Sequence, residues 1–175
     1  KDASRACIIG TGMQAELQLK ALTLVRPITY AVIWGRDRDK ARALAKKLAQ
    51  DLQIDVVAAE EMEAAVSKSD IVVTTTPSSN PLIQAGWLRP GQHVTAMGSD
   101  QEHKNELEPA CLTRATLYVP DRLSQTRHLG ELRTAIAAGL IEDTAIFDEL
   151  GDIVAGTARG RASDKDITLC DLTGT

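Results

Sequence analysis

The chain has 175 residues, with 20 Lys and Arg against 24 Asp and Glu, a formal net charge of −4 and 43% hydrophobic residues. That length and apolar content supply one ordinary folded core, which excludes disorder, and the mild acidity offers no general attraction for a phosphate backbone, so nucleic acid is not an expected partner. No stretch approaches 18 consecutive apolar residues and Lys1-Asp2-Ala3-Ser4 has no leader-type apolar region, so membrane insertion and secretion are not expected and the cytoplasm is the expected location.

In chain order, a short apolar run at 6–9 is followed by a segment of helical period at 13–25, which Pro27 stops. A strand at 29–34 then leads into the clearest helix, 37–52, whose stripe of Ala41, Leu44, Ala45, Leu48 and Leu52 fits one face packed on a sheet. Strands follow at 55–58, 71–75, 93–97, 116–119 and 167–170, with helices at 60–67, at 121–138, capped by Asp121 or Ser124 and ended by Gly139, and at 148–155, ended by Gly156. The loop-like 156–166 bridges to a last strand added from outside the basic unit. Alternation of β-branched runs with helices marks the α/β class, a doubly wound parallel sheet, and the chain reads as a single domain over 1–175.

Cys7, Cys111 and Cys170 are too far apart for metal-ligand spacing and read as buried small hydrophobes in a reducing compartment. His93, His103 and His128 form no cluster, so no metal site is expected.

The strongest local signal is Ile8-Ile9-Gly10-Thr11-Gly12-Met13-Gln14-Ala15, an apolar strand running into G-x-G-x-x-A and a helix. Gly10 allows a sharp turn off the strand, Gly12 leaves room for a pyrophosphate, Ala15 keeps the helix close to the sheet, and the amides from Met13 and Gln14 onward face the anion. The second strand ends in Trp34-Gly35-Arg36-Asp37-Arg38. If Gly35 takes the place of the usual ribose-binding acid, Arg36 with Arg38 clamps a 2′-phosphate, which leans toward NADP; the alternative is Asp37 reaching back to the ribose, with NAD. After the fourth strand, Thr74 and Thr76 either line the cofactor with hydroxyls or belong to a simple Pro77 turn. After the fifth, Met97 and Gly98 allow close cofactor approach, and Asp100 is a candidate proton-transfer residue if burial raises its pKa. A hydrolase reading of Ser99, Asp100 and His103 fails, because three residues so close in sequence do not build a triad and there is no G-x-S-x-G elbow.

Taken together, 9–15, Ser69-Asp70-Ile71-Val72-Val73-Thr74, Trp87-Leu88-Arg89-Pro90-Gly91-Gln92-His93-Val94, Gly98-Ser99-Asp100 with Lys104, Gly130-Glu131-Leu132, and the closing stretch from Ser163-Asp164 to Thr173-Gly174 resemble the dinucleotide-binding domain of the ornithine cyclodeaminase and mu-crystallin family. The wording of 95–100 and 170–175 looks closest to its ectoine-utilisation branch. The resemblance implies hydride transfer from the α-carbon of a small amino acid to the cofactor, giving an imine; cyclodeaminases then cyclise, lose ammonia and return the hydride, while dehydrogenases and reductases stop at net redox. By position it implies Asp100 as the acidic proton-transfer residue, Lys104 as a cofactor contact and Thr173 beside substrate and nicotinamide. It also implies an N-terminal substrate and dimerisation domain ahead of Lys1, so the chain is expected to be part of a longer homodimeric protein, binding cofactor alone but not turning over. The family's acidic ribose contact is replaced around Gly35-Arg36, which puts NAD preference in doubt. A non-catalytic, mu-crystallin-like binding role is the competing expectation.

Overall fold

The computed structural model describes residues 2–174; Lys1, and Thr175 at the end of the 170–175 stretch, lie outside them. The elements run β1 (Arg5–Ile9), α1 (Met13–Val25), β2 (Tyr30–Trp34), α2 (Arg38–Leu52), β3 (Asp55–Ala58), α3 (Met62–Ser67), β4 (Ile71–Thr74), a 3-10 turn (Ala85–Trp87), β5 (His93–Ala96), α4 (Ala110–Arg114), β6 (Leu117–Pro120), α5 (Leu123–Thr126), α6 (Glu131–Ala137), α7 (Leu150–Ala155) and β7 (Thr168–Asp171). This is the α/β, Rossmann-like class of parallel sheet and helices expected from the alternation. Two compact units divide the chain, Lys1–Thr76 and Pro77–Thr175.

In the first unit the strands lie in the order β3-β2-β1-β4. Pairing is parallel, with Cys7 opposite Val32 on one side and Val72 on the other. Ala6 to Ile9 are all buried, as a strand flanked by two others and covered on its faces requires. Small residues let the helices approach: Ala15 and Leu19 of α1, and Ala41, Ala45 and Leu48 of α2, join Ile8, Ile33 and Val73 in one core, with Leu44 and Leu52 packed at its margin. Each fully buried Leu or Ile side chain contributes about 1.5–3 kcal/mol relative to exposure. The stripe expected on α2 is therefore the face it buries.

In the second unit the order is β5-β7-β6, again parallel, with Val94 opposite Leu169 and Tyr118 opposite Leu169. The last strand of the chain, β7, lies between β5 and β6, and all four of its residues are buried. A correction concerns the helix expected over 121–138. It is two short helices, α5 and α6, separated at 127–130. At Gly130 a Cβ would come within 2.6 Å of the Asp171 carboxylate, so this point of the chain is held against the end of β7 and cannot continue a regular helix past it. Neither Asp121 nor Ser124 caps α5, whose N-cap is Arg122 without a side-chain bond. The short α4 and the 3-10 turn carry too few residues for a period and were not foreseen.

All three cysteines are free and buried. Burial pushes the Cys7 and Cys170 thiols up to about 12 and Cys111 higher still, so all three stay protonated near neutral pH. Among the described residues no helix is long and apolar enough to cross a membrane.

Candidate functional site

In the first unit, β1 ends at Ile9 and the chain turns at Gly10, whose φ of +134° lies in the region that L side chains rarely adopt. A Cβ there would stand 2.2 Å from Thr75 Oγ1, while the Gly10 amide donates to the Trp34 carbonyl at 2.8 Å and the Thr75 amide to the Ile9 carbonyl at 2.8 Å. The turn is thereby tied to both neighbouring strands. Two residues on, Gly12 is the extended N-cap of α1 and contributes no side-chain cap, and a Cβ built on it meets nothing within 4 Å. Met13, 79% exposed, and Gln14 follow it on the surface, whereas Ala15 is fully buried. The first turn of α1 thus opens on free space with amides that no side chain satisfies, which suits an anion of pyrophosphate type.

Beside this turn, Gly35 is buried against Thr11, whose methyl a Cβ at position 35 would meet at 2.4 Å. Arg36 is exposed and makes no hydrogen bond or ion pair among the described residues. Asp37 is committed to α2: its Oδ1 accepts from the Asp39 and Lys40 amides, both at 3.1 Å. Thr74 is fully buried and its hydroxyl has no partner among the described residues, a buried polar atom left available at the C-terminal end of β4; Thr76 is half-buried.

In the second unit, Met97 and Gly98 leave the end of β5 half-buried, and Gly98 donates its amide to Glu106 Oε2 at 2.8 Å. Asp100 is exposed, with 48% of its side chain accessible, and pairs with Lys104 at 2.5 Å. The burial expected to tune Asp100 is therefore absent, and Lys104 faces this acid. The buried acids are others: Glu106, Glu131 and Asp171, each fully enclosed. Glu131, on the first turn of α6, accepts hydrogen bonds from Ser99 Oγ, Asn105 Nδ2, the Glu106 amide at 2.8 Å and the Leu107 amide at 3.1 Å. Burial pushes its carboxyl up to about 7, although those donors oppose the shift. Asp171 Oδ2 accepts from Tyr118 Oη at 2.8 Å and from the Glu131 and Leu132 amides, while Oδ1 has no partner among the described residues. Burial, reinforced by the charge of Glu131, pushes Asp171 up to about 8.

Thr173 is buried, and its hydroxyl bonds Asp121 at 2.9 Å and Gln125 at 2.9 Å. Asp121, expected to cap a helix, instead accepts from the Thr173 and Gly174 amides. No hydrogen bond joins Thr173 to Asp100 or Lys104 among the described residues. Within the first unit the structure brings Gly10, Gly12 and Gly35 to one turn; within the second it places Gly98, Asp100 and Lys104 on one loop. The buried acids carried a weak sequence signal, an acidic residue inside an apolar run, as at Cys170-Asp171-Leu172. Among the described residues no group of three or more His, Cys, Asp or Glu is arranged to hold a metal ion.

A model of the ornithine cyclodeaminase/mu-crystallin family matches residues 1–175. An uncharacterised cyclodeaminase of Sinorhizobium fredii is 57% identical over 100% of this chain and 53% of its own length. Among solved structures, Thermococcus litoralis Δ1-pyrroline-2-carboxylate reductase in complex with NADH and L-proline superimposes with a TM-score of 0.94 at 31% identity, covering 99% of this chain and 54% of that one. An archaeal alanine dehydrogenase dimer with bound NAD gives a TM-score of 0.89 at 34% identity, covering 99% and 53%. The chain spans about half the length of the relatives it matches.

Proposed function

The chain belongs to the ornithine cyclodeaminase/mu-crystallin family, and we propose that it is the cofactor-binding part of an NAD(P)-dependent enzyme acting on a small amino acid in a homodimeric protein. The observation that carries this reading is the turn at Gly10 to Gly12, a strand end tied to its neighbours and opening onto an uncapped helix with free space where two linked phosphates fit. Solved relatives in complex with NADH and L-proline, and with NAD, support the same chemistry.

In this reading the amides at the head of α1 bind the pyrophosphate, and the unpartnered Thr74 hydroxyl offers a buried hydrogen bond to the ligand. Met97 and Gly98 leave room for the cofactor. A bound nicotinamide supplies the acceptor for the hydride leaving the substrate α-carbon. Asp100 takes up and returns the proton of the amino group as the substrate passes through its imine, with Lys104 paired to its carboxylate and contacting cofactor, and Thr173 lies beside the substrate. Whether the imine cyclises or is released distinguishes cyclodeaminase from dehydrogenase or reductase, and the wording of 95–100 and 170–175 points to the ectoine-utilisation branch. In the full-length protein, Asp100→Asn should lower amino-acid-dependent cofactor reduction about 10²–10⁴-fold while leaving dinucleotide binding in place. Unchanged turnover would remove Asp100 from the chemistry, and a wild-type protein that binds dinucleotide but reduces none would favour the mu-crystallin-like binding role.

For cofactor choice, NADP is favoured over NAD. Supporting this, Gly35 offers no carboxylate, Asp37 is occupied by its helix cap, and Arg36 is exposed without a protein partner. Replacing Arg36 by Ala should weaken NADP binding by about 1.5–3 kcal/mol and hardly alter NAD, read by titrating both. Equal losses would refute the 2′-phosphate contact.

A further inference from the structure

Resting on the assignment of Asp100 above, we propose that Glu131 is the positioning residue of the loop that carries Asp100 and Lys104. That loop leaves β5 at Met97 and returns at Leu107, and its outer residues, Asp100 to His103, are all exposed. Its hold is at the base. Gly98 and Glu106 close the neck through a hydrogen bond from the Gly98 amide to the Glu106 carboxylate. Immediately inside that neck, Ser99 from the outgoing limb and Asn105, Glu106 and Leu107 from the returning limb all donate to the one buried carboxylate of Glu131. Arg133, on the same helix, donates to the Lys104 carbonyl at 2.9 Å. Asp171 in turn fixes the start of that helix by accepting from the Glu131 and Leu132 amides. Both limbs of the loop are therefore referenced to a single group on α6, and Asp100 stands only one residue beyond the Ser99 bond.

A carboxylate is the group this arrangement requires, because it offers two acceptor oxygens and no donor. The two backbone donors go to different oxygens, the Glu106 amide to Oε1 and the Leu107 amide to Oε2. A glutamine side chain, in either orientation, turns its NH₂ toward one of these N–H groups, and the base of the loop must shift. A displacement of about 1 Å at a reacting group costs up to about 100-fold in rate.

The test is a double-mutant cycle in the full-length protein, measuring kcat with a turned-over amino acid and, separately, dinucleotide affinity. Glu131→Gln should lower kcat by about 10- to 100-fold with dinucleotide affinity within about threefold of wild type, and should add less than about threefold to the loss caused by Asp100→Asn. Should Glu131→Gln fail to fold, Ser99→Ala, which deletes one donor and leaves the carboxylate, should lower kcat several-fold and likewise lose its effect when Asp100 is Asn. A kcat within twofold of wild type in either folded variant, or a loss that multiplies with that of Asp100→Asn, overturns the positioning role while leaving the Asp100 assignment standing. Wild-type turnover in Asp100→Asn itself overturns that assignment and this inference with it.

Discussion

A methyl group at position 10 and one at position 12 meet opposite surroundings, though the two glycines belong to one turn. At Gly10 the backbone is left-handed and the added carbon runs into Thr75, so strain and overpacking combine. Gly10→Ala should destabilise the protein by about 2–4 kcal/mol, visible as a lowered urea midpoint. At Gly12 the added carbon enters free space, so Gly12→Ala should change stability by less than about 1 kcal/mol, the scale of an altered N-cap, and yet weaken dinucleotide binding measured by titration. Loss of stability without loss of binding at Gly12 would place the ligand elsewhere. Both glycines were legible because the motif is local: strand, turn and helix lie within ten residues. Asp37 was less so, since an acid at that spacing is open to a cap as well as to a ribose contact, and its bonds to the Asp39 and Lys40 amides appear only in the fold.

At the scale of elements, α1 and α2 were readable because their limits are set within the chain itself, by Gly12 before Met13 and by the Asp37 cap before Arg38. The strands at the heart of each unit are apolar runs bounded by polar turns, and the expected limits differ from the observed ones by no more than one residue at either end. The continuous helix over 121–138 failed for a different reason. Its pattern is helical on both sides of the break, but the Glu131 amide next to Gly130 is pinned by a carboxylate 40 residues further on, at Asp171, which no local pattern announces. The same distance hides the role of Asp121, whose partners are Thr173 and Gly174 rather than the helix it precedes.

At the scale of the whole molecule, the two buried acids give stability a pH dependence of definite sign. Burial lifts Asp171 to about 8, with the Glu131 charge adding to it, and lifts Glu131 to about 7; Glu106 and Tyr118 face the same network. Unfolded, both acids return to the ordinary range near 4, so the folded chain holds more protons between these limits and its stability falls as pH rises through them. Their contribution is complete below about pH 4 and lost above about pH 8. The urea midpoint should therefore be lower at about pH 8.5 than at about pH 6. Asp171→Asn keeps an oxygen for the Tyr118, Glu131 and Leu132 donors and puts an NH₂ at the unpartnered Oδ1, so it should flatten this slope. A slope unchanged by that substitution would mean that other groups produce it.

The amino-acid order alone determined the α/β parallel class, the glycine turn and the helices that start or stop at a nearby cap, because each depends on periodicity or on backbone freedom within a few residues. Through the family resemblance it also singled out Asp100 and Lys104 as site candidates. Folding alone decided which acids lose contact with water. An Asp or Glu is by default exposed, and Glu106, Glu131 and Asp171 are enclosed only because strands and loops distant in the chain bring donors and apolar cover around them. Desolvation is a property of what surrounds a side chain, and those surroundings are assembled from segments that no window along the chain contains.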